Sequence, residues 1–391
     1  MKVARIYECI AVAFSLGWAI ARPFDSNIKI RGGMAVMGKR LKNPAIFVTA
    51  VILIGVVLAG CGSSTGGSKK EVVNIMNWSE YLPEHLIEQF EEETGIKVNY
   101  SEISSNEEMI AKLNVSGGEF DLAVPSTYFI EVLINQDKLE KITKENIPNL
   151  KYIGKDYLGW DFDPNDDYSL PYMWGTEVIV VNEELVDKDI EVTSYKDLFN
   201  PYFKDSLVIL DDPRTMLGAM LSMLGYNSNS TKEDEIVAAG EELKKLKPNI
   251  KVYDSDNAKN LLISNEVKAG VVYGAEAALA MRENPNIKVI IPEDFLSLWQ
   301  DNFVIPKGAK NKENAEKFIN FIFDPKVSKE ITLDHPYVNP NEEAMTLLPD
   351  DIRQEIEMTV GEGIDHPKAA HAIDVGEALQ MYDRVWSEVK Q

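Results

Sequence analysis

From Val72 onward, short apolar runs alternate with stretches in which apolar residues recur every three or four positions. Strands and amphipathic helices taken in turn give an α/β architecture. Val72–Met76 predicts a strand. Leu86, Ile87 and Phe90 keep helical spacing across Pro83–Glu93, and Gly95 stops that helix. Ile96–Tyr100 is the next strand. Ser105 followed by Glu108 forms a capping box for a helix through Val115, and Gly117-Gly118 then turns into the strand Phe120–Val124. These segments make a βαβαβ unit. Further strands are expected at Glu177–Val181, Leu207–Leu210, Ala269–Tyr273 and Lys288–Ile291. Helices are expected at Met216–Leu224, Ala275–Arg282, Lys312–Phe323 and Val375–Val389.

In sheets of this kind, ligands bind beyond the carboxyl ends of strands. The residues found there are Asn77-Trp78-Ser79-Glu80-Tyr81, Pro125-Ser126-Thr127-Tyr128, Asp211-Asp212 and Tyr273 to Glu276, with Trp299-Gln300-Asp301 near the last strands. Aromatic rings and carboxylates recur together. That combination holds ammonium groups, since a π face contributes about 0.5–2 kcal/mol and a carboxylate supplies charge-assisted hydrogen bonds.

The segment before Val72 reads as an address. Lys39, Arg40 and Lys42 precede an apolar run from Ala45 to Ala59, which ends at Leu58-Ala59-Gly60-Cys61. A cationic start, a run too short for a comfortable membrane span and small residues before a cysteine make a bacterial lipobox. Residues 37–60 are expected to be cleaved and Cys61 to carry diacylglyceryl, with 61–70 as a Gly/Ser tether. Residues 1–36 do not fit a signal peptide and are expected to be a mis-assigned N-terminal extension.

The charge narrows the choice of partner. The chain of 391 residues carries a formal −23, and loss of residues 1–60 would bring this to −29. Nucleic acid is excluded as a partner, because its binding needs a basic patch, and a cationic one is favoured. Only Cys9 and Cys61 are present, so the body holds neither disulfides nor a cysteine nucleophile. Four scattered histidines (His85, His335, His366, His371) lack ligand spacing, and no metal or cofactor is expected. Asp163-Asn165-Asp166-Asp167 lacks the glycine and closing glutamate of a calcium loop and reads as a turn. No nucleophile and base stand together at strand ends, so an enzyme is not expected.

Longer segments carry a resemblance. Asn77 to Pro83, Asp121 to Tyr128, Asp163 to Gly175, Asp211-Asp212-Pro213-Arg214 and Trp299-Gln300-Asp301 resemble, in order, the spermidine/putrescine-binding proteins of bacterial ABC transporters. The resemblance implies a two-lobed periplasmic-binding-protein-like (type II) fold whose discontinuous lobes close on the ligand about a hinge. Lobe one would hold residues 71–176 and 298–350, and lobe two 177–297 and 351–391. It implies that Trp78 and Trp299 pack on the methylene chain, with Ser79, Tyr81, Ser126, Tyr128 and Tyr337 lining the cleft. Asp212 and Asp301 would bind amines. The function implied is capture of a polyamine by a monomeric lipoprotein, anchored on the extracytoplasmic face of the membrane, and its delivery to ABC permease subunits. A binding protein for another cationic or sugar-like solute, or a ligand sensor, is the alternative.

Three positions depart from the pattern. Thr215 stands where the spermidine branch continues with glutamate, Tyr273 replaces a tryptophan, and a C-terminal glutamine is replaced near His371-Ala372. Glu276, three residues after Tyr273, is expected to substitute for the lost acid, giving three carboxylates with Asp212 and Asp301.

Overall fold

Two long strands organise the chain. The computed structural model describes residues 71–391 apart from 80 and 362, so the signal segment, Cys61 and the tether lie outside the described residues. The first half begins with β1 (Val72–Trp78), α1 (Glu84–Thr94), β2 (Lys97–Ile103), α2 (Asn106–Val115) and β3 (Leu122–Ala123). β1 pairs in parallel with both β2 and β3, as a βαβαβ unit requires. α3 (Thr127–Asn135) and β4 (Leu139–Glu140) lead through irregular chain to β5 (Ser169–Asn182).

β5 is far longer than the Glu177–Val181 run seen in the sequence. It is buried at every position except Trp174, so no polar alternation marks its first half. Pro171 and Gly175 also argue against a strand when read locally. The proline is tolerated because Tyr172 is an extra residue there: Asp301 pairs with Met173 and Asn302 with Pro171, a bulge in the ladder.

The second half comprises β6 (Leu207–Ile209), α4 (Pro213–Met223), α5 (Glu233–Leu246), β7 (Ile250–Tyr253), α6 (Ala258–Ile263), β8 (Ala269–Tyr273), α7 (Gly274–Glu283) and β9 (Ile287–Ile290). β10 (Leu296–Pro306) then returns to the first half. The chain continues through α8 (Lys312–Ile322), α9 (Pro325–Asp334), α10 (Glu342–Thr346), α11 (Asp350–Val360), β11 (Ala369–His371) and α12 (Leu379–Lys390). The strand order is β2-β1-β3-β10-β5-β8-β6-β7, with β4 and β11 on β10 and β9 on β5.

β5 belongs to both halves. Ser169 to Thr176 pair with β10, whereas Glu177 to Asn182 pair with β8 and β9. Each half has its own core. In the first, Phe90 meets Phe318 and Phe321 at 5.0 and 5.4 Å, beside Ile75, Leu122 and Phe303. In the second, Ile179, Leu207, Met216 and Leu243 pack with Tyr382 and Trp386 of α12.

Several boundaries moved for identifiable reasons. α4 starts at Pro213 rather than Met216, because Asp212 caps it and proline suits the first helical position. α12 starts at Leu379 rather than Val375, since Gly376 has φ +56° and a 3-10 turn precedes the helix. The capping box of α2 is shifted. Ser105 accepts from the Glu108 N–H, but the Glu108 carboxylate accepts from Ser104 N–H, one residue earlier than expected. Asp163 is a turn organiser: its buried carboxylate accepts from the N–H groups of Asp167, Tyr168 and Ser169, each at 2.9 Å.

Candidate ligand-binding site

The ends of β1, β3, β6 and β8, together with the middle of β10, face one cleft of about 280 Å³. All eleven residues nominated from the sequence line it: Trp78, Ser79, Tyr81, Ser126, Tyr128, Asp212, Tyr273, Glu276, Trp299, Asp301 and Tyr337. They come from both halves, joined by β5 and β10.

Asp301 lies beside the bulge in β10, and a bridge to Ser126 ties it to the segment after β3. It is 3% exposed. Tyr81 Oη donates to its Oδ2 at 2.9 Å and Ser126 Oγ to its Oδ1 at 2.6 Å. Burial pushes its pKa up to about 7, against the lowering effect of those two hydroxyls. No cation of the protein is paired with it among the described residues.

The walls around this carboxylate are aromatic. Tyr81 sits 5.6 Å from Tyr337, and Trp299 sits 4.9 Å from Tyr337 at 80° and 6.2 Å from Tyr273 at 81°. Trp78 is fixed by its Nε1–H, which donates to Val124 O at 2.8 Å. Ser79 lies at the end of β1, its N–H donating to Ile103 O at 3.2 Å. Such edge-to-face pairs are worth about 0.5–1.5 kcal/mol beyond their burial and hold the rings in place.

Gly175 makes this packing possible. A Cβ there would stand 2.8 Å from Trp299 Cζ2 and 3.2 Å from Tyr337 Cδ1. Gly175→Ala should therefore lower stability by about 1–3 kcal/mol and drive the indole toward the cleft. Thermal melting and a ligand titration on one sample check this; if both match the parent protein, the rings do not depend on that glycine.

Across the cleft, Asp212 caps α4 and accepts from the N–H groups of Arg214 and Thr215 at 2.8 and 2.9 Å. Its pKa is raised, burial outweighing those two bonds. Asp211 plays a different part, pairing with Lys390 Nζ at 2.7 Å and accepting from Trp386 Nε1 at 3.0 Å, which ties α12 to the sheet. Arg214 is buried, but its guanidinium donates to Ile373 O and Asn229 Oδ1 and lies over the rings of Tyr128 and Tyr382. Glu276, in the first turn of α7, is paired with Lys259 Nζ at 3.2 Å. Its charge is therefore matched within the protein.

The bacterial extracellular solute-binding protein family matches residues 85–360. The chain belongs to this family. A solute-binding protein of this kind has the two-lobed periplasmic-binding-protein fold, and the family serves transport rather than catalysis. The spermidine/putrescine-binding periplasmic protein of Escherichia coli (strain K12) is 40% identical over 316 residues, covering 80% of this chain and 90% of the relative. Two solved structures are also similar. The spermidine/putrescine ABC transporter substrate-binding protein of Streptococcus pneumoniae has TM-score 0.68 and 33% identity, covering 82% of this chain and 98% of its own. A lipoprotein of Treponema pallidum has TM-score 0.72 and 28% identity, covering 82% and 99%.

The solute-binding cleft also contains residues that the sequence did not single out. Asn106, at the start of α2, accepts from Ser126 N–H at 3.0 Å, and its Nδ2 donates to Ser126 Oγ at 3.1 Å and to Tyr128 Oη at 3.3 Å. It positions the serine that holds Asp301. An asparagine near a helix start reads as a cap, so nothing in the sequence gave this away. Near the C-terminus, at the position where the sequence shows a replaced glutamine, Ala372 lines the cleft, while the half-buried imidazole of His371 packs against Trp160 at 4.7 Å and desolvation pushes its pKa down to about 4. Glu177 was read only as the start of a strand; it is buried and lines the cleft.

Proposed function

We propose that this solute-binding protein captures a polyamine of the spermidine or putrescine type and delivers it to the permease subunits of an ABC transporter. The observation that carries this reading is Asp301, a buried carboxylate held by two hydroxyls, walled by aromatic rings and paired with no cation of the protein among the described residues. A buried unmatched charge costs several kcal/mol. A polyamine supplies what is missing, ammonium groups for the carboxylates and methylenes for the rings between them.

In this reading Trp78, Trp299, Tyr273 and Tyr337 pack on the methylene chain, with Ser79, Ser126, Tyr81 and Tyr128 fixing its path. Asp301 takes one terminal ammonium and Asp212 another. Residues 71–176 and 298–350 close as one lobe against 177–297 and 351–391, bending where β5 and β10 pass between halves. The solutes for which the E. coli and S. pneumoniae relatives are named support this choice. Attachment through Cys61 is supported by the lipobox and by the lipoprotein relative, and two acyl chains suffice for stable anchoring. No helix among the described residues is long and apolar enough to cross a membrane. We further propose that it acts as a monomer outside the cytoplasm.

Calorimetric titration of the purified protein with spermidine, spermine and putrescine tests this, with glucose and arginine as controls. Saturable 1:1 binding of at least one polyamine, with flat controls, is expected. Flat polyamine traces from folded protein shown free of co-purified ligand would remove the reading.

A further inference from the structure

Glu177 is the first residue of β5 to pair with the second half of the molecule, and Tyr273 lies opposite it in register. It is 3% exposed and lines the cleft. Thr215 Oγ1 donates to its Oε1 at 2.9 Å. Its other oxygen, Oε2, is buried without a hydrogen bond of good geometry, and the Ser297 hydroxyl stands beside the carboxyl. Hydroxyls are thus all that the protein offers this group, and no cation is paired with it among the described residues. A buried carboxylate that borders a cleft and meets only hydroxyls points to a cation arriving from the cleft.

The placement of the acids says which donor. Glu177 feels the charge of Asp212, whereas the influences on Asp301 are burial, Ser126 and Tyr81. Tyr273 feels all three acids and so lies between the two groups. The Asp301 end of the cleft thus offers a single buried carboxylate, whereas Asp212 is accompanied by the buried Glu177 and, at the exposed rim, by Glu107. Glu276 adds no further unmatched charge there, because Lys259 matches it. Thr215 carries the hydroxyl that holds Glu177, at the position where the resemblance calls for glutamate, so the acid sits across a hydrogen bond from its expected place.

Resting on the polyamine reading, we infer that Glu177 is a specificity-determining carboxylate that receives the internal ammonium of a linear triamine, beside the terminal ammonium at Asp212. A diamine has no internal ammonium and so leaves Glu177 without a partner. The cleft is therefore built for a triamine over a diamine.

The test compares the purified protein with Glu177→Gln by titration against spermidine and putrescine. Loss of one charge-assisted hydrogen bond should weaken spermidine binding about 10- to 100-fold, and putrescine binding by less than about 3-fold. Equal weakening of the two, or none, overturns the inference. Glutamine keeps the shape and removes an unmatched buried charge, so the ligand-free variant should melt no lower than the parent. The double variant Glu177→Gln/Thr215→Glu, which returns the acid to the other side of the bond, should recover the spermidine preference. If a variant does not fold, the parent protein decides by calorimetry near pH 7 in buffers of different ionisation heat. Spermidine should then release about one proton more than putrescine; equal release overturns the assignment. Failure of the parent to bind either polyamine is a different result, which removes the underlying reading itself.

Discussion

Asp301→Asn is expected to weaken binding of both spermidine and putrescine by about 100-fold or more. The same substitution should make the ligand-free protein more stable. Both follow from one arrangement, a carboxylate that is 3% exposed, accepts from Tyr81 and Ser126, and has no cation partner among the described residues. With ligand present, its negative charge pairs with an ammonium in a site of low dielectric. Asparagine keeps the size but leaves that ammonium unmatched. Without ligand, the charge is a cost of folding: raising a carboxyl from 3.8 to about 7 disfavours the ionised fold at alkaline pH by on the order of a few kcal/mol. Removing it relieves that cost, a trade of stability against function expected at binding sites. Titration and thermal melting at about pH 8 measure the two effects. A variant that binds normally, or one that loses binding only because it melts lower, would refute this role for Asp301.

Acidification should release the ligand while stabilising the empty fold. Burial pushes Asp301 up to about 7 and Glu177 up to about 8, from ordinary values of 3.8 and 4.5. For groups whose pKa is raised on folding, the contribution to stability is fully present below the unfolded values and is lost as pH rises through the folded ones. The window is therefore about pH 4 to 8. Across it these two groups should make the ligand-free protein progressively less stable. Tyr81, Tyr273 and Tyr337 face Asp301, and Asp212, Thr215 and Ser297 stand around Glu177, with no basic side chain among them. Binding of ammonium groups reverses the balance by favouring the carboxylates, so it expels protons near neutral pH. Affinity should rise from about pH 5.5 to pH 8, by up to about tenfold per pH unit for each proton released. Calorimetry across that range measures it. An affinity that is flat in pH would mean that both carboxyls are already ionised in the empty cleft.

Much of this site could be read from the chain because its residues occur in short segments at strand ends. Trp78 ends β1 and Tyr81 follows it, Ser126 and Tyr128 follow β3, and Asp212 follows β6; a strand that ends at the sheet edge delivers its last and next residues to the crevice. The βαβαβ unit was equally plain, because an amphipathic helix declares itself by spacing along one stretch of sequence. Glu276 shows where that reading ends. An acid in the first turn of a helix is easily noticed, but its partner Lys259 comes from α6, and only the packing of α6 on α7 brings the two within 3.2 Å. Asn106 likewise looks like a capping residue until the fold sets it against Ser126 and Tyr128.

The sequence alone therefore determined the α/β class, the acidic balance and the local segments that carry rings and carboxylates, since each depends on neighbours along the chain. Tertiary structure decided which of those carboxylates are left without a cation. Asp301 owes its burial to a bulge that pairs Met173 with it and skips Tyr172, and Glu177 owes its own to the passage of β5 from one half of the molecule to the other. Burial, pairing and an unmatched charge are properties of atoms distant in sequence, fixed only when β5, β8 and β10 come into register.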